Sequence, residues 1–440
     1  MTATKDEPLR RDIGFLGSAF LSFNGVVGGG IFALPATLYV KFGAFSPFLF
    51  PLFGFLVLVI AIPFSRVAAR HPLSGGPVVY AAAFGPAAAF QAGWLYYVAR
   101  TTALAANATL LVTYLASWSP TLGEGLPRAA LIVAIAAFLT FMNIVGVKRA
   151  VRLLDALTVL KATPLIVAAV VGLVAAGAIE PPGPLPPLSD LEAAALLILF
   201  AFVGFENSVV AAGETADPRR TIPRALLFTV GATAILYFVV QLSYVAVMEP
   251  AASKTPMVDF GRALMGPAGA ALLTAAAVFS LLGNISGGMT GTTRTTYAMG
   301  RDGLLPDWFG RVSPRFATPA NSIAFMGVLI ALLALSGSFI WLAVVSTLAR
   351  MFVYSISIAS LAKPDLPASD GVKTGPATWA MIAAAIAVCA WAASQSSWES
   401  WRMLLILAAA GTALYAAARL SARKATVSSI QPPPSTRDPS

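Results

Sequence analysis

Charge is what this sequence has least of. Only 11% of its 440 residues are Asp, Glu, Lys or Arg, while 58% are hydrophobic. A water-soluble domain carries about 25% charged residues because its surface must be solvated. So few charges cannot cover a water-facing globule. They also arrive in clumps between apolar runs of about 20 residues, the length that crosses a bilayer core as a helix. Histidine and cysteine are nearly missing, with one of each, His71 and Cys389. A single cysteine excludes an internal disulfide. One His, one Cys and no His-Glu-x-x-His pattern leave little from which to build a metal cluster or a nucleophile–base pair. That argues against a membrane-embedded enzyme such as a lipid-modifying transferase or an intramembrane protease. Long polar stretches that would form a soluble sensor domain are absent. So are the alternating strands of about ten residues that mark an outer-membrane barrel.

What is present is apolar helix, with a mean hydropathy of +0.80. The pattern predicts an all-α membrane protein of about 12 transmembrane helices, over 13–36, 44–68, 86–117, 128–146, 151–177, 191–213, 225–248, 267–298, 318–335, 338–361, 376–394 and 399–420. The third and eighth exceed what a crossing needs, which predicts tilt or extension into the cytoplasm. Residues 1–12 form a polar cytoplasmic tail, 13–361 the core of ten helices, 362–420 two further helices, and 421–440, with its Pro432-Pro433-Pro434 run, a disordered tail. The first apolar run continues into a full span, so no cleaved signal peptide is expected.

Lys and Arg set the orientation. With the amino terminus inside, the cytoplasmic segments collect Arg10, Arg11, Arg66, Arg70, Lys148, Arg149, Arg219, Arg220, Arg294, Arg301, Arg423 and others, and the outside segments only Lys41, Arg128, Lys254, Arg262 and Arg402. The bias is about fourfold and places both termini in the cytoplasm. The net charge of +10 is therefore a consequence of membrane topology, and no nucleic-acid partner is expected.

Two spans are interrupted. The first contains Asn24-Gly25-Val26-Val27-Gly28-Gly29-Gly30-Ile31-Phe32-Ala33-Leu34-Pro35. Each mid-helix glycine costs about 1 kcal/mol relative to Ala, and glycine lets a ligand approach the backbone closely. Gly25 and Gly29 also form a small-xxx-small pair suited to helix contact. The sixth span carries Phe200-Ala201-Phe202-Val203-Gly204-Phe205-Glu206, and an ionisable residue at that depth faces a cavity, a partner or a pathway. Breaks at corresponding places in two halves, five spans apart, are the pattern of a five-plus-five inverted repeat with a midplane site. Unwound backbone survives in a bilayer only where protein or a water-filled cavity surrounds it.

These residues resemble the amino acid–polyamine–organocation superfamily of permeases, amino acid transporter branch. Gly28-Gly29-Gly30-Ile31-Phe32-Ala33-Leu34-Pro35 is similar to that family's Gly-Ser-Gly-Ile-Phe-x-x-Pro, with Gly29 in place of Ser. Ser74-Gly75-Gly76-Pro77-Val78-Val79-Tyr80, Gly204-Phe205-Glu206, Glu214 through Ala225, and Arg294-x-x-Tyr297 through Pro306 match further family stretches in order. The resemblance implies a fold of two intertwined five-helix inverted repeats with two extra carboxyl-terminal helices. It also implies a site for an amino acid's α-amino and carboxyl groups. The free amides at Gly28, Gly29 and Gly30, at a positive helix end, suit a carboxylate. Carbonyls of Phe200, Ala201 and Val203, joined by one near Val26, suit the ammonium. Phe200 stands where related carriers place an aromatic gate, or else it packs the core.

Lys161 lies within the fifth span. Its stem could snorkel to the cytoplasm. The resemblance places it instead where sodium-driven relatives bind sodium, bridging the first and eighth helices with backbone carbonyls and Ser280 or a neighbour. Burial disfavours the charged amine, so the group could load and release a proton; a constitutively charged tie between helices is the alternative. Arg100 could contact substrate, pair with Glu206, or sit outside the pocket in a structural role. Arg350 is equally open, and His71 is expected to be a solvated loop residue. The resulting expectation is a proton-coupled, sodium-independent carrier of neutral amino acids in a bacterial cytoplasmic membrane, without metal or cofactor. An exporter, an exchanger or a polyamine carrier of the same fold is the alternative. Its partners are then a small-molecule substrate, protons and the lipid bilayer, with oligomeric state open.

Overall fold

The computed structural model describes residues 11–71, 75–146, 148–177, 181–210, 212–363 and 375–428, with side chains described throughout except at 148–160, 210 and 421–428. Pro72, Leu73 and Ser74 of the loop motif, the start of the amino-terminal tail and residues 429–440 lie outside the described residues.

The chain is helical along almost its whole described length. In order the helices are α1 (Phe15–Val26), α2 (Gly29–Phe42), α3 (Leu49–Arg70), α4 (Pro77–Ala81), α5 (Pro86–Ala116), α6 (Gly125–Val145), α7 (Lys148–Ala176), α8 (Leu188–Phe200), α9 (Asn207–Val210), α10 (Pro218–Val247), α11 (Pro256–Arg301), α12 (Ala320–Ser336), α13 (Phe339–Ala359), α14 (Pro376–Ser394) and α15 (Trp398–Ser428). Counting α1 with α2 and α8 with α9 as single broken spans, and α4 as a connector, gives the twelve spans of the sequence pattern in the same order. By length and composition seven described stretches could each cross a membrane. Others fall short because they are interrupted, like α1 and α8, or because they carry polar side chains, like α5 with Arg100 and Asn107.

Element ends follow local chemistry. The first span breaks at Val27 (ψ 88°) and Gly28, and the helix resumes at Gly29. It runs beyond Pro35 to Phe42, later than position 36, and stops where Gly43 takes φ +54°. The eighth span begins earlier than expected. Met265 and Gly266 (φ +61°) leave helical geometry just before Pro267, so the long run expected from 267 is preceded by a bent-off arm from Pro256. Pro267 lacks the amide a continuous helix would use there. The last helix extends through Ser428, past the Leu420 at which the sequence pattern ends the twelfth span.

Packing puts α5 at the centre. It is buried along nearly its full length, with α13 and α11 against it. Helix α10 packs on α3 and α7, and α7 on α11. Helices α14 and α15 lie on this core, against α13, α3 and α5. A backbone clasp joins the chain start to the exit of the sixth span: the Ile13 amide donates to the Glu214 carbonyl at 3.0 Å and the Ala216 amide to the Ile13 carbonyl at 2.8 Å. The Glu214 carboxylate meets Arg294 of α11 at 3.5 Å, which ties two of the motif stretches together.

Candidate functional site

The two interruptions lie against each other. Gly204 holds φ +112°, a conformation that side-chain-bearing residues rarely adopt, and a Cβ there would run into the Gly25 carbonyl. A Cβ on Gly25 would in turn sit 2.7 Å from the Gly204 carbonyl oxygen, and one on Gly30 would be 2.8 Å from Ala201 Cα. The glycines therefore serve the contact between the first and sixth spans as well as the unwinding. The sixth span turns from Ala201 to Glu206 before α9, and its reverse turn is closed by Val203 N–H donating to the Phe200 carbonyl at 3.1 Å.

A chain of buried amides grows from the start of α2. The Gly29 amide donates to Asn107 Oδ1 at 3.1 Å, and Asn107 Nδ2 donates to Asn284 Oδ1 at 2.9 Å. Asn284 Nδ2 then donates to the carbonyls of Asn24 (3.1 Å) and Gly25 (2.9 Å). A Cβ on Gly29 would stand 2.5 Å from Asn107 Oδ1 and 2.7 Å from Phe339 Cε2. The glycine found where the family pattern has Ser thus makes room for the Asn107 cap. Composition gave no warning of Asn24, Asn107 or Asn284. Their only sequence signal is an uncharged amide inside an apolar span, where a polar group needs a partner.

Lys161 is buried on this network. Its ammonium donates to the Asn24 carbonyl (3.0 Å), Asn24 Oδ1 (2.6 Å) and the Val27 carbonyl (2.9 Å). Ser280 of α11 donates to the same Val27 carbonyl at 3.2 Å. Ser280 and Lys161 therefore meet through a shared acceptor. Tyr237 completes the set by donating to the Val26 carbonyl at 3.1 Å. The unwound turn of the first span has its carbonyls held by α7, α10 and α11 at once. That satisfies backbone groups that would otherwise be orphaned in a bilayer.

On the sixth-span side, Glu206 and Arg350 form a buried ion pair, Nε to Oε1 at 3.1 Å, with side chains 2% and 0% exposed. Glu206 Oε2 accepts from Tyr354 OH at 3.1 Å and from the Gly204 amide at 3.0 Å. Arg350 Nη1 donates to the Ala99 carbonyl of α5 at 3.1 Å and to Ser346 Oγ. The partner of Glu206 is thus Arg350 on α13. Arg100, which the sequence left as an alternative partner, instead reaches Thr292 Oγ1 of α11 at 3.5 Å. Sequence separation hides the true pair, since α13 is brought to the break only by packing on α5 and α8.

Phe200 is buried and meets Phe339 edge to face, with ring centroids 5.6 Å apart. Phe339 also touches the Gly29 position, so these rings lie beside the start of α2. His71 departs from expectation. It is half-buried, its ring lies 5.7 Å from that of Tyr80, and its Nε2 is buried without a hydrogen-bond partner. Burial, reinforced by Arg70, holds its pKa below the ordinary 6.5.

Similarity to known proteins agrees with this architecture. The family model described as amino acid permease matches residues 13–409. An uncharacterised transporter of Mycobacterium tuberculosis is 30% identical over 364 residues, covering 80% of this chain and 80% of its own length. The cadaverine/lysine antiporter of Escherichia coli is 28% identical over 335 residues, 73% of this chain and 72% of its own. With the family match running from the first span into the last, on a fold of two broken spans packed together, the chain belongs to the amino acid permease family of membrane transporters.

Proposed function

We propose that this transporter is a secondary active carrier of neutral amino acids, sodium-independent and driven by protons, working by alternating access in the bacterial cytoplasmic membrane with both termini inside. The observation that carries the reading is the meeting of the α2 amino end at Gly28–Gly30 with the sixth-span turn at Phe200–Val203, where Gly30 lies against Ala201. An α-amino acid presents a carboxylate and an ammonium a few ångströms apart. The helix amides suit the first, and the carbonyls of the unwound turn, with that of Val26, suit the second. Phe200 with Phe339 is the aromatic cover of that site.

Lys161 supports the coupling half of the reading. Its three acceptors on the first span are oxygens of the kind that hold an alkali cation, and its ammonium occupies them. A fixed cation there replaces sodium. Loss of its proton would leave two N–H donors for three acceptors and remove the charge that strengthens them, loosening the first span from α7, the motion alternating access needs. Exchange without a proton gradient is the second reading, favoured by the similarity to the Escherichia coli cadaverine/lysine antiporter; Lys161 is then a permanent tie.

Uptake of a radiolabelled amino-acid panel by proteoliposomes tests the cargo and the ion. The proposal expects accumulation of neutral amino acids that is indifferent to a sodium gradient at fixed pH. Sodium-stimulated uptake would refute the ion assignment, and failure to move any amino acid would refute the cargo.

A further inference from the structure

Among the described residues, four charged side chains are buried: Arg100, Lys161, Glu206 and Arg350. Three are cationic and one anionic. Lys161 is consumed by the first-span carbonyls and Arg100 lies on Thr292. Glu206 is therefore the one buried carboxylate among the described residues, and it stands at the sixth-span break, next to Phe205 and bonded to the Gly204 amide. Both of its oxygens are occupied. Arg350 takes Oε1, while Tyr354 and Gly204 take Oε2. Arg350 is itself held in place from a second element, through the Ala99 carbonyl of α5, and by Ser346 one turn back on its own helix α13. It cannot swing from Glu206 without leaving those acceptors.

The geometry points to Arg350 as the residue that sets charge selectivity, excluding diamines and cationic amino acids by neutralising Glu206. This rests on the amino-acid reading above and names its substrate class. A cationic side chain entering the site would find the carboxylate already paired and a guanidinium beside it, and like charges repel strongly away from water. A diamine fares worse, because it has no carboxylate for the α2 amides. A neutral side chain meets neither penalty. Specificity here comes from a built-in repulsive element. Arg350 Nη2 is buried without a hydrogen-bond partner. Its open donors favour an acceptor over a cation, which gives the inference a reciprocal consequence at Glu206.

The test is displacement of radiolabelled leucine from purified protein by cadaverine, lysine and glutamate, each read as a ratio to displacement by unlabelled leucine. The inference expects wild-type protein to ignore cadaverine and lysine. Arg350→Gln frees the carboxylate and improves both competitors by about tenfold or more, and the Arg350→Gln/Glu206→Gln double variant removes that gain. Glu206→Gln alone frees the guanidinium and improves glutamate by about tenfold. Cadaverine competing with wild type as well as leucine does would overturn the inference. So would Arg350→Gln protein that elutes like wild type and binds leucine with cationic competition unchanged. If Arg350→Gln yields no folded protein, Glu206→Gln decides, and no gain for glutamate overturns the idea. Wild-type protein that binds no neutral amino acid instead refutes the underlying function, a result distinct from lost selectivity change in a leucine-binding variant.

Discussion

Alanine at two glycines separates the contact between the broken spans from glycine's generic effect on helices. At Gly204, alanine must hold φ +112° and place its methyl group against the Gly25 carbonyl. Strained backbone of this kind costs about 1–3 kcal/mol, and forcing a methyl group into a packed contact costs about 1–3 kcal/mol more. The sum, about 2–6 kcal/mol, is a large share of a typical folding free energy. Gly231, inside α10, provides the opposite case, because a Cβ there meets nothing within 4 Å. Alanine in an unstrained helix interior is favoured by about 1 kcal/mol. Thermal unfolding in detergent, followed by loss of monodisperse protein, should show Gly204→Ala well below wild type and Gly231→Ala at or above it. Gly204→Ala with an unchanged midpoint would refute the claim that the two breaks are in backbone contact.

The buried pair supports a double-mutant cycle. Removing Arg350 alone, as Arg350→Met, strands the Glu206 carboxylate and should cost about 3–5 kcal/mol. Adding Glu206→Gln, which still accepts from Tyr354 and Gly204, should recover most of that, and additive losses in unfolding midpoint would contradict the pairing. His71 predicts a pH effect. Its pKa in the folded chain lies below 6.5, so the unfolded chain binds the extra proton. Its contribution to stability is unaffected above that value and is lost as pH falls through it. His71→Gln should flatten the decline in unfolding midpoint between about pH 7.5 and about pH 5.5; an equal decline in both proteins would count against the half-buried, neutral imidazole. Tyr237→Phe leaves one donor fewer on the Val26 carbonyl and should lower stability by about 1 kcal/mol, measured in the same unfolding assay.

The backbone plan was legible because a bilayer leaves few choices. Runs of about 20 apolar residues, Lys and Arg between them, and glycines at Gly25–Gly30 and Gly204 mark spans, loops and breaks with little competition from other structures. Lys161 and Glu206 were legible as charges that an apolar helix would not carry idly. Their partners were not. Arg350 lies far along the chain from Glu206, and nothing in the sequence distinguishes it from Arg100 until α13 is seen packed on α5. The Asn24, Asn107 and Asn284 relay was hidden for a related reason. Amides carry no charge signal, and their value lies in mutual geometry across three spans. The Gly29 departure from the family pattern reads as a lost hydroxyl in sequence. In the structure it reads as room for Asn107.

Under the proposed function, those partners also give the substrate site and Lys161 a route of communication. Asn107 caps the Gly29 amide that a substrate carboxylate would use, and Asn284 links it to the Asn24 carbonyl that Lys161 also holds. A carboxylate arriving at α2 would displace Asn107 and disturb the oxygens around the ammonium. Under the proposed function, substrate occupancy would reach the Lys161 contacts along this chain of four hydrogen bonds.

The central claim is that a neutral amino acid and Lys161 share one machine. It is tested most directly by leucine uptake into proteoliposomes with and without an inward proton gradient, for wild type and Lys161→Ala side by side. The account predicts gradient-driven accumulation by wild type and its loss in Lys161→Ala, with leucine binding retained. Equal gradient-driven accumulation by both proteins would contradict it.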